Sequence, residues 1–529
     1  MPKQIFQIKS VEKSIKDTQK EGHSLKRQLT SFDLAIMGVA VAVGAGIFSV
    51  GANVAAFYAG PAVTISFVLA TITCGFAIMS YAEFASTVPV SGSAYTYTYS
   101  TMGELMAWII GWDLILELVV AASLISRFWG VYLDNFFTSL GLHIPQAFHI
   151  GGLEVNWAPV IIVALFTTLL VRGTKLSTRV NSIFTAIKVA IVLFVIVVGA
   201  FYVKSANYHP FIPPAVPTKG GETGGVLEQS ILRLITGTPP AEYGWLGIMS
   251  GAAIVFFAFV GFDIVATSAE EVKDPQKNFP RGIFMGLGIV AVLYLLVSIV
   301  ITGMLPYTEF AKQTDPSLAS AFIAVGAPWA AGVISFGILI GLTSVIMVLL
   351  LGMSRVVFSM SRDGLLPYNW SKTDEKSGTP ARIQIVGGII VAFIASCTNI
   401  MALEEMINIG SLSAFILVSV AVIVMRKKRP DIKRGYKVPF VPAIPVIAAV
   451  LCFYLILNLT AFTWIRFLIW LVIGFIIYFT YSMKHSRLNL ESETDVNGSE
   501  NLVSTLEENS APGSNATVNA SDENAKEVR

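Results

Sequence analysis

Cysteine is scarce. Cys74, Cys397 and Cys452 are the only three in 529 residues, and each lies inside an apolar run. They show neither a paired framework nor a metal-ligand spacing, so a disulfide scaffold and a zinc site are both excluded, and the three thiols read as small apolar packers. Charge is scarce too, at 13% of residues. Soluble domains carry about 25%, so an ordinary soluble fold is excluded. The net charge is only +2, which offers no basic surface for nucleic acid. The five histidines, His23, His143, His149, His209 and His485, fall outside the long apolar runs, so no imidazole relay crosses their middle. No glycine-rich phosphate loop precedes a Lys-Ser/Thr pair. No nucleophile stands with a base in a catalytic pattern. Direct ATP use and enzymatic catalysis are therefore not expected, and no cofactor is implied. Residues 1–31 carry seven basic side chains (Lys3, Lys9, Lys13, Lys16, Lys20, Lys26 and Arg27) and no short apolar core, which is not the pattern of a signal peptide.

What the chain has in abundance is apolar length. Hydrophobic residues make up 54% of it, in runs near the ~20 residues that cross a bilayer. The expected fold class is an all-α integral membrane protein with about twelve spans: 34–58, 62–87, 104–134, 157–172, 182–203, 247–269, 282–303, 329–354, 381–398, 402–425, 441–462 and 465–483. Loop charge sets the orientation. Basic residues crowd the loops after even-numbered spans, from Arg172, Lys175 and Arg179 to the group Arg426 through Lys437, while the alternate loops are poor in them. Both termini are expected on the cytoplasmic side of the plasma membrane. The expected organisation is a cytoplasmic segment 1–33, a membrane domain 34–483 and a tail 484–529. From Glu491 onward that tail has nine acidic residues against Lys526 and Arg529, and it reads as disordered and solvated. The long loop after the fifth span, rich in proline and then glycine, is expected to be an irregular, partly mobile cover.

Two glycine-marked stretches organise the domain. In the first span, Ala42-Val43-Gly44-Ala45-Gly46 places two glycines one residue apart at membrane depth. Each costs roughly 1 kcal/mol against alanine in a helix. In the sixth span, Phe257-Ala258-Phe259-Val260-Gly261-Phe262-Asp263 repeats the interruption. A broken helix frees backbone N–H and C=O groups that hydrocarbon cannot satisfy, so they face protein or a wet cavity. Freed amides at a helix N-terminus suit a carboxylate and freed carbonyls suit an ammonium, which together would receive an amino acid. The spans occupy the same place in two successive five-span units, 34–203 and 247–425, followed by two additional spans in 441–483. The plainer reading, glycines for close helix packing, stands beside this one.

Ionisable residues inside spans are costly and need an account. Lys188 lies about six residues, roughly 9 Å, into the fifth span. It is either a snorkelling lysine or a fixed ammonium beside the first break. Glu117 lies near the middle of the third span, with Asp113 one turn away on the same face. It could line a route, pair with a basic residue or stay protonated. Asp263 could cap a half-helix, and Glu83 could serve a gate or a helix contact.

These residues also carry a resemblance. Val43-Gly44-Ala45-Gly46-Ile47-Phe48, Tyr81-Ala82-Glu83 with Pro89 to Tyr95, Gly111-Trp112-Asp113 through Glu117, Phe256 to Asp263 leading into Ala269-Glu270-Glu271, and Ser361-Arg362-Asp363-Gly364 through Pro367 resemble bacterial members of the cationic amino acid transporter family, in the amino acid–polyamine–organocation superfamily. The resemblance covers all but the polar tails. It implies a leucine-transporter-like fold of two inverted five-helix repeats with helices 1 and 6 interrupted, and alternating access driven by protons. Carried over, it implies that the substrate carboxylate meets the amides of Ala45 and Gly46 beside Gly44. It implies that the ammonium meets carbonyls of Ala42, Phe257, Ala258 and Val260. Lys188 matches the coupling lysine and Glu117 the family's third-span glutamate. Ala45 departs from the threonine or serine common in relatives, which removes a hydroxyl but leaves the amide.

The expected function is proton-coupled uptake of small or medium neutral L-amino acids. One alternative is a permease or exchanger for arginine, lysine or ornithine, with Glu117 meeting the side-chain charge. Another, of a different class, is an amino acid sensor that does not transport. A subunit linked to a partner glycoprotein is disfavoured, because residues 135–156 contain no cysteine.

Overall fold

The computed structural model describes residues 7–8, 29–44, 46–89, 93–139, 141–142, 144–145, 147–150, 153–173, 178–217, 225–237, 241–266, 268–313, 316–374 and 379–488. In chain order the main helices are α1 Ser31–Ala42, α2 over residues 46–59, α3 Val63–Thr87, α4 Ser93–Tyr99, α5 Glu104–Ser139, α6 Trp157–Val171 and α7 Thr178–Ala200. They continue as α8 Gly244–Val255, α9 Phe262–Ala266, α10 Pro275–Met304, α11 Pro328–Arg362, α12 Ala381–Cys397, α13 Ile400–Lys428, α14 Ala443–Leu457 and α15 Ala461–Ile477. Among the described residues, seven helical stretches are long and apolar enough to cross a membrane, and five shorter helices are also apolar.

Helix ends follow local chemistry. Thr30 and Asp33 close a reciprocal capping box at the start of α1, with Thr30 N–H on Asp33 Oδ2 at 2.8 Å and Asp33 N–H on Thr30 Oγ1 at 3.3 Å. Pro275 opens α10 at a position where its missing N–H costs nothing. Asn399 Oδ1 accepts from Ala402 N–H at 2.9 Å to start α13, whose last turn carries Arg426, Lys427 and Lys428 against the helix dipole. Helices α5 and α11 outrun the expected spans 104–134 and 329–354. At 36 and 35 residues each is longer than one perpendicular crossing requires.

The interior is built from α1, α2, α5, α11 and α13. Ala40, Ala42, Ala52, Ala55, Ala56, Ala59 and Ala62 are all buried, so small residues let the backbones of neighbouring helices approach. Helix α11 runs along α5, α10 along α1 and α3, and α13 along α5 and α14. Helices α7 and α15 are the least buried of the long apolar helices, as a lipid-facing rim would be.

The all-α expectation needs a small correction. Ala147–Ile150 and Leu153–Asn156 form an antiparallel hairpin, and Val216–Pro217 pairs with Ala241–Glu242. The two residues between Ile150 and Leu153 are Gly151-Gly152, a sequence signal for a two-residue hairpin. The described parts of the long connection before α8 include short helical turns at Ser205–Tyr208, Val226–Glu228 and Ile231–Thr236, and they dock on helices on either side of the glycine-rich part. A Cβ at Gly60 would lie 2.5 Å from Pro213, and Ala461 N–H donates to Gln229 O at 2.9 Å. The glycine-rich part of that connection, and the tail beyond residue 488, lie outside the described residues.

Glu83 is a fastening point. It is buried on α3 and binds Arg426 through two hydrogen bonds of 2.9 and 2.6 Å, lies 3.3 Å from Arg434, and accepts from Val438 N–H at 2.7 Å. A buried carboxylate satisfied by two guanidinium groups and a backbone amide is held in one geometry. It ties the α13–α14 connection to α3, so the helix-contact reading of Glu83 is the one with a structural counterpart.

Candidate functional site

Helix α1 stops at Ala42. Val43 and Gly44 leave the helical path, with Gly44 N–H donating to Ala42 O at 2.7 Å. The chain resumes as a wide π turn at Gly46–Val50. Helix α8 stops at Val255, tightens into a 3₁₀ turn at Phe256–Phe259, extends at Val260 and reverses at Gly261 with φ +116° before α9. Both interruptions use glycine where another residue would not fit. A Cβ at Gly46 would sit 2.5 Å from the Cα of Ala258, and one at Gly261 would sit 2.2 Å from Val41 Cγ1, in a backbone region hostile to L side chains. The two breaks therefore lie backbone against backbone.

The freed carbonyls find side-chain donors. Tyr294 of α10 reaches both breaks, its hydroxyl 2.5 Å from Ala42 O and 2.8 Å from Ala258 O. One O–H proton serves one of them at a time. Tyr132 of α5 donates to Phe48 O at 2.8 Å. Lys188 of α7 donates from Nζ to Ala40 O. It is 1% exposed on one of the least buried of the long apolar helices, so it faces inward and does not snorkel. Glycine makes room for it: a Cβ at Gly341 of α11 would lie 2.5 Å from Lys188 Cγ.

A cavity opens at the two breaks. It is lined by Val41, Ala42, Gly44, Gly46, Phe257, Val260 and Gly261 from the two broken helices, by Ala121 and Ile125 of α5 and by Val345 and Leu349 of α11. No charged side chain lines it. It is narrow, about 20 Å³, which is space for little more than one water molecule.

The structure thus gathers Ala42, Gly44, Gly46, Phe257, Ala258 and Val260 around one point, with Lys188 one turn before the first break. Ala45 lies outside the described residues, as does the side chain of Asp263. Glu117 does not line the cavity. It is buried on α5 and accepts from Ser411 Oγ of α13 at 2.5 Å. Sequence reading missed Tyr294, Ala121, Ile125, Val345 and Leu349. A tyrosine within an apolar run was a usable signal, because a buried phenol needs a partner. Ala121 and Ile125 continue the four-residue spacing from Glu117 on one helix face. Nothing marks Val345 and Leu349 within a uniformly apolar α11. Among the described residues no group of three or more His, Cys, Asp or Glu side chains converges as a metal site would.

Known proteins similar to this chain include transporters. A family model described as amino acid permease matches residues 29–485. The branched-chain amino acid permease BcaP of Bacillus subtilis is 44% identical over 92% of this chain and 99% of its own length. The methylthioribose transporter of the same organism is 42% identical over 89% of this chain and 96% of its own. The vacuolar cationic amino acid transporter 4 of Arabidopsis thaliana is 30% identical, covering 88% and 93%.

Proposed function

Because the chain belongs to the amino acid permease family, a family of multi-pass membrane transporters, we propose that it carries neutral L-amino acids of branched, medium size inward with protons. One observation carries the choice of substrate. The side-chain end of the cavity is formed by Ala121, Ile125, Phe257, Val260, Val345 and Leu349, all apolar. An aliphatic side chain gains there from leaving water, at about 25 cal/mol per Å² buried. A guanidinium or ammonium would lose its hydration without a counter-charge. Glu117, the partner a cationic substrate needs, is turned to Ser411 instead. The 44% identical branched-chain permease points the same way.

In this reading the amides at Gly46 and Ala45 take the substrate carboxylate. The carbonyls of Ala42, Phe257, Ala258 and Val260 take its ammonium, which displaces the Tyr294 hydroxyl from Ala42 and Ala258. Charge is met by main-chain dipoles that every amino acid can use, and selectivity is left to the apolar wall. The narrow cavity must widen for entry, so α5 and α11 move relative to the broken helices, as alternating access requires. Protonated Lys188 holds the carbonyl of Ala40 and stabilises the substrate-ready arrangement. Release of its proton loosens α1 and favours discharge. The reading includes twelve crossings, with repeats over 34–203 and 247–425 and additional helices over 441–483. It also places both termini, including the tail 484–529, in the cytoplasm.

The test is uptake by proteoliposomes with an imposed inward proton gradient. Radiolabelled L-isoleucine is expected to accumulate, leucine and valine in excess to compete, and arginine in equal excess to leave uptake unchanged. Competition by arginine equal to that by leucine would overturn the substrate assignment and favour the cationic alternative. Binding without accumulation would favour a sensor.

A further inference from the structure

The third-span motif Gly111-Trp112-Asp113 is only partly accounted for by packing. Gly111 admits Met360, whose sulfur would lie 2.7 Å from an added Cβ. Trp112 and Trp470 stack at 4.3 Å and exchange hydrogen bonds, each indole N–H donating to the other residue's carbonyl at 2.9 and 3.2 Å. Asp113 is left over. It is 1% exposed, and among the described residues neither of its carboxyl oxygens accepts a hydrogen bond. An acid so placed is costly wherever nothing offers it a donor.

Asp113 is among the residues lining a second cavity of about 260 Å³ among α5, α13, α14 and α15, which shares no residue with the lining of the two breaks. The other walls are apolar apart from Ser413, and include Ile409, Phe453, Trp464 and Leu471. Phe453 is half exposed on the rim of the bundle. Helices α14 and α15 each pack on α13 and meet each other only sparsely, so the cavity opens sideways between them. Gly410 of α13 packs closely on the acid, since a Cβ there would lie 3.1 Å from Asp113 Oδ1.

We propose that this lateral cavity is a binding site for a lipophilic amine, one ammonium joined to a compact apolar body, entering from the membrane. The ammonium supplies the hydrogen bonds and counter-charge that Asp113 lacks, and the body fills the space beside Phe453, Trp464 and Leu471. The volume lies near the lower end of small-molecule pockets, which begin at about 300 Å³, and it suits a single ring on a short chain. This site is separate from the substrate site and does not depend on which amino acid is carried.

The experiment uses the full-length protein in lipid nanodiscs and two probes of equal shape, 4-phenylbutylamine and 4-phenylbutan-1-ol, titrated calorimetrically at neutral pH. The amine is expected to bind saturably with one site per chain, and at least about tenfold more tightly than the alcohol, a difference of ~1.4 kcal/mol. Asp113→Asn is expected to bring the amine to the affinity of the alcohol. Leu471→Trp keeps the acid and fills the cavity; it is expected to abolish binding of both probes, and it decides the matter if Asp113→Asn does not fold. Equal binding of amine and alcohol would reduce the effect to partition into lipid and overturn the proposal. Unchanged amine binding in either variant would overturn it too.

Discussion

The two broken helices solve the same backbone problem by different means. At the first break the freed carbonyls are held by side chains from three other helices: Lys188 on Ala40, Tyr294 on Ala42 and Tyr132 on Phe48. At the second, the side-chain bonds given among the described residues, apart from that of the shared Tyr294, are long: Asn408 to Ile254 O at 3.3 Å and Tyr97 to Ala266 O at 3.5 Å. Hydrogen bonds weaken toward such distances. Its shape is set instead by Gly261 at φ +116° and by close backbone contact with the first break. The first break is therefore held largely by removable side chains, and the second by backbone stereochemistry. On the proposed proton coupling, the first kind of control belongs on the part that moves, and the second kind on the part it moves against.

The largest effect that would break this contrast is at Gly261. Gly261→Val puts a β-branched residue at positive φ and drives its Cβ into Val41, at a cost of about 1–3 kcal/mol for overpacking alone. Loss of both substrate binding and thermal stability is expected, read by scanning fluorimetry of the purified protein. Next is Lys188→Ala, which is expected to abolish accumulation driven by a pH gradient while leaving the ligand-induced rise in Tm intact. Full accumulation by this variant in proteoliposomes would remove the coupling role from the first break. A smaller change is expected for Tyr294→Phe. It deletes a hydroxyl shared by both breaks, worth about 0.5–1.5 kcal/mol as a net hydrogen bond, and because the substrate ammonium replaces that hydroxyl, equilibrium binding should shift by about tenfold at most. The smallest belongs to Glu117→Gln. Its amide can still accept from Ser411, so the apparent affinity for isoleucine should stay within about twofold. A selective loss of isoleucine binding would put Glu117 back at the substrate.

The positions of the breaks were legible because glycine inside an apolar run has few other uses, and two such runs stood at matching places. The inward direction of Lys188 was not. The same lysine at the same depth could have reached water, and only the burial of its side chain among α1, α7 and α11 separates the two outcomes. Glu117 shows the opposite limit. Its depth is plain from the sequence, but helical periodicity does not say whether a buried acid faces a cavity or a serine on the next helix. The apolar wall at Val345 and Leu349 was invisible, since every residue nearby is apolar and rotation about the α11 axis decides which of them face inward. The small hairpin at Ala147–Asn156 was readable from its paired glycines but was hidden by the dominance of helical signal around it.

The stem of Lys188 rests in the notch left by Gly341 while its tip holds Ala40. One side chain thus works as a strut between α11 and α1. Any tilt of the broken pair away from α11 stretches that strut, and must either pull its tip off the carbonyl or drag its shaft from the notch. Refilling the notch with a methyl group would shorten the strut's travel without altering its charge, so a mechanical share of the proposed coupling can be separated from an electrical one at a residue outside the cavity lining.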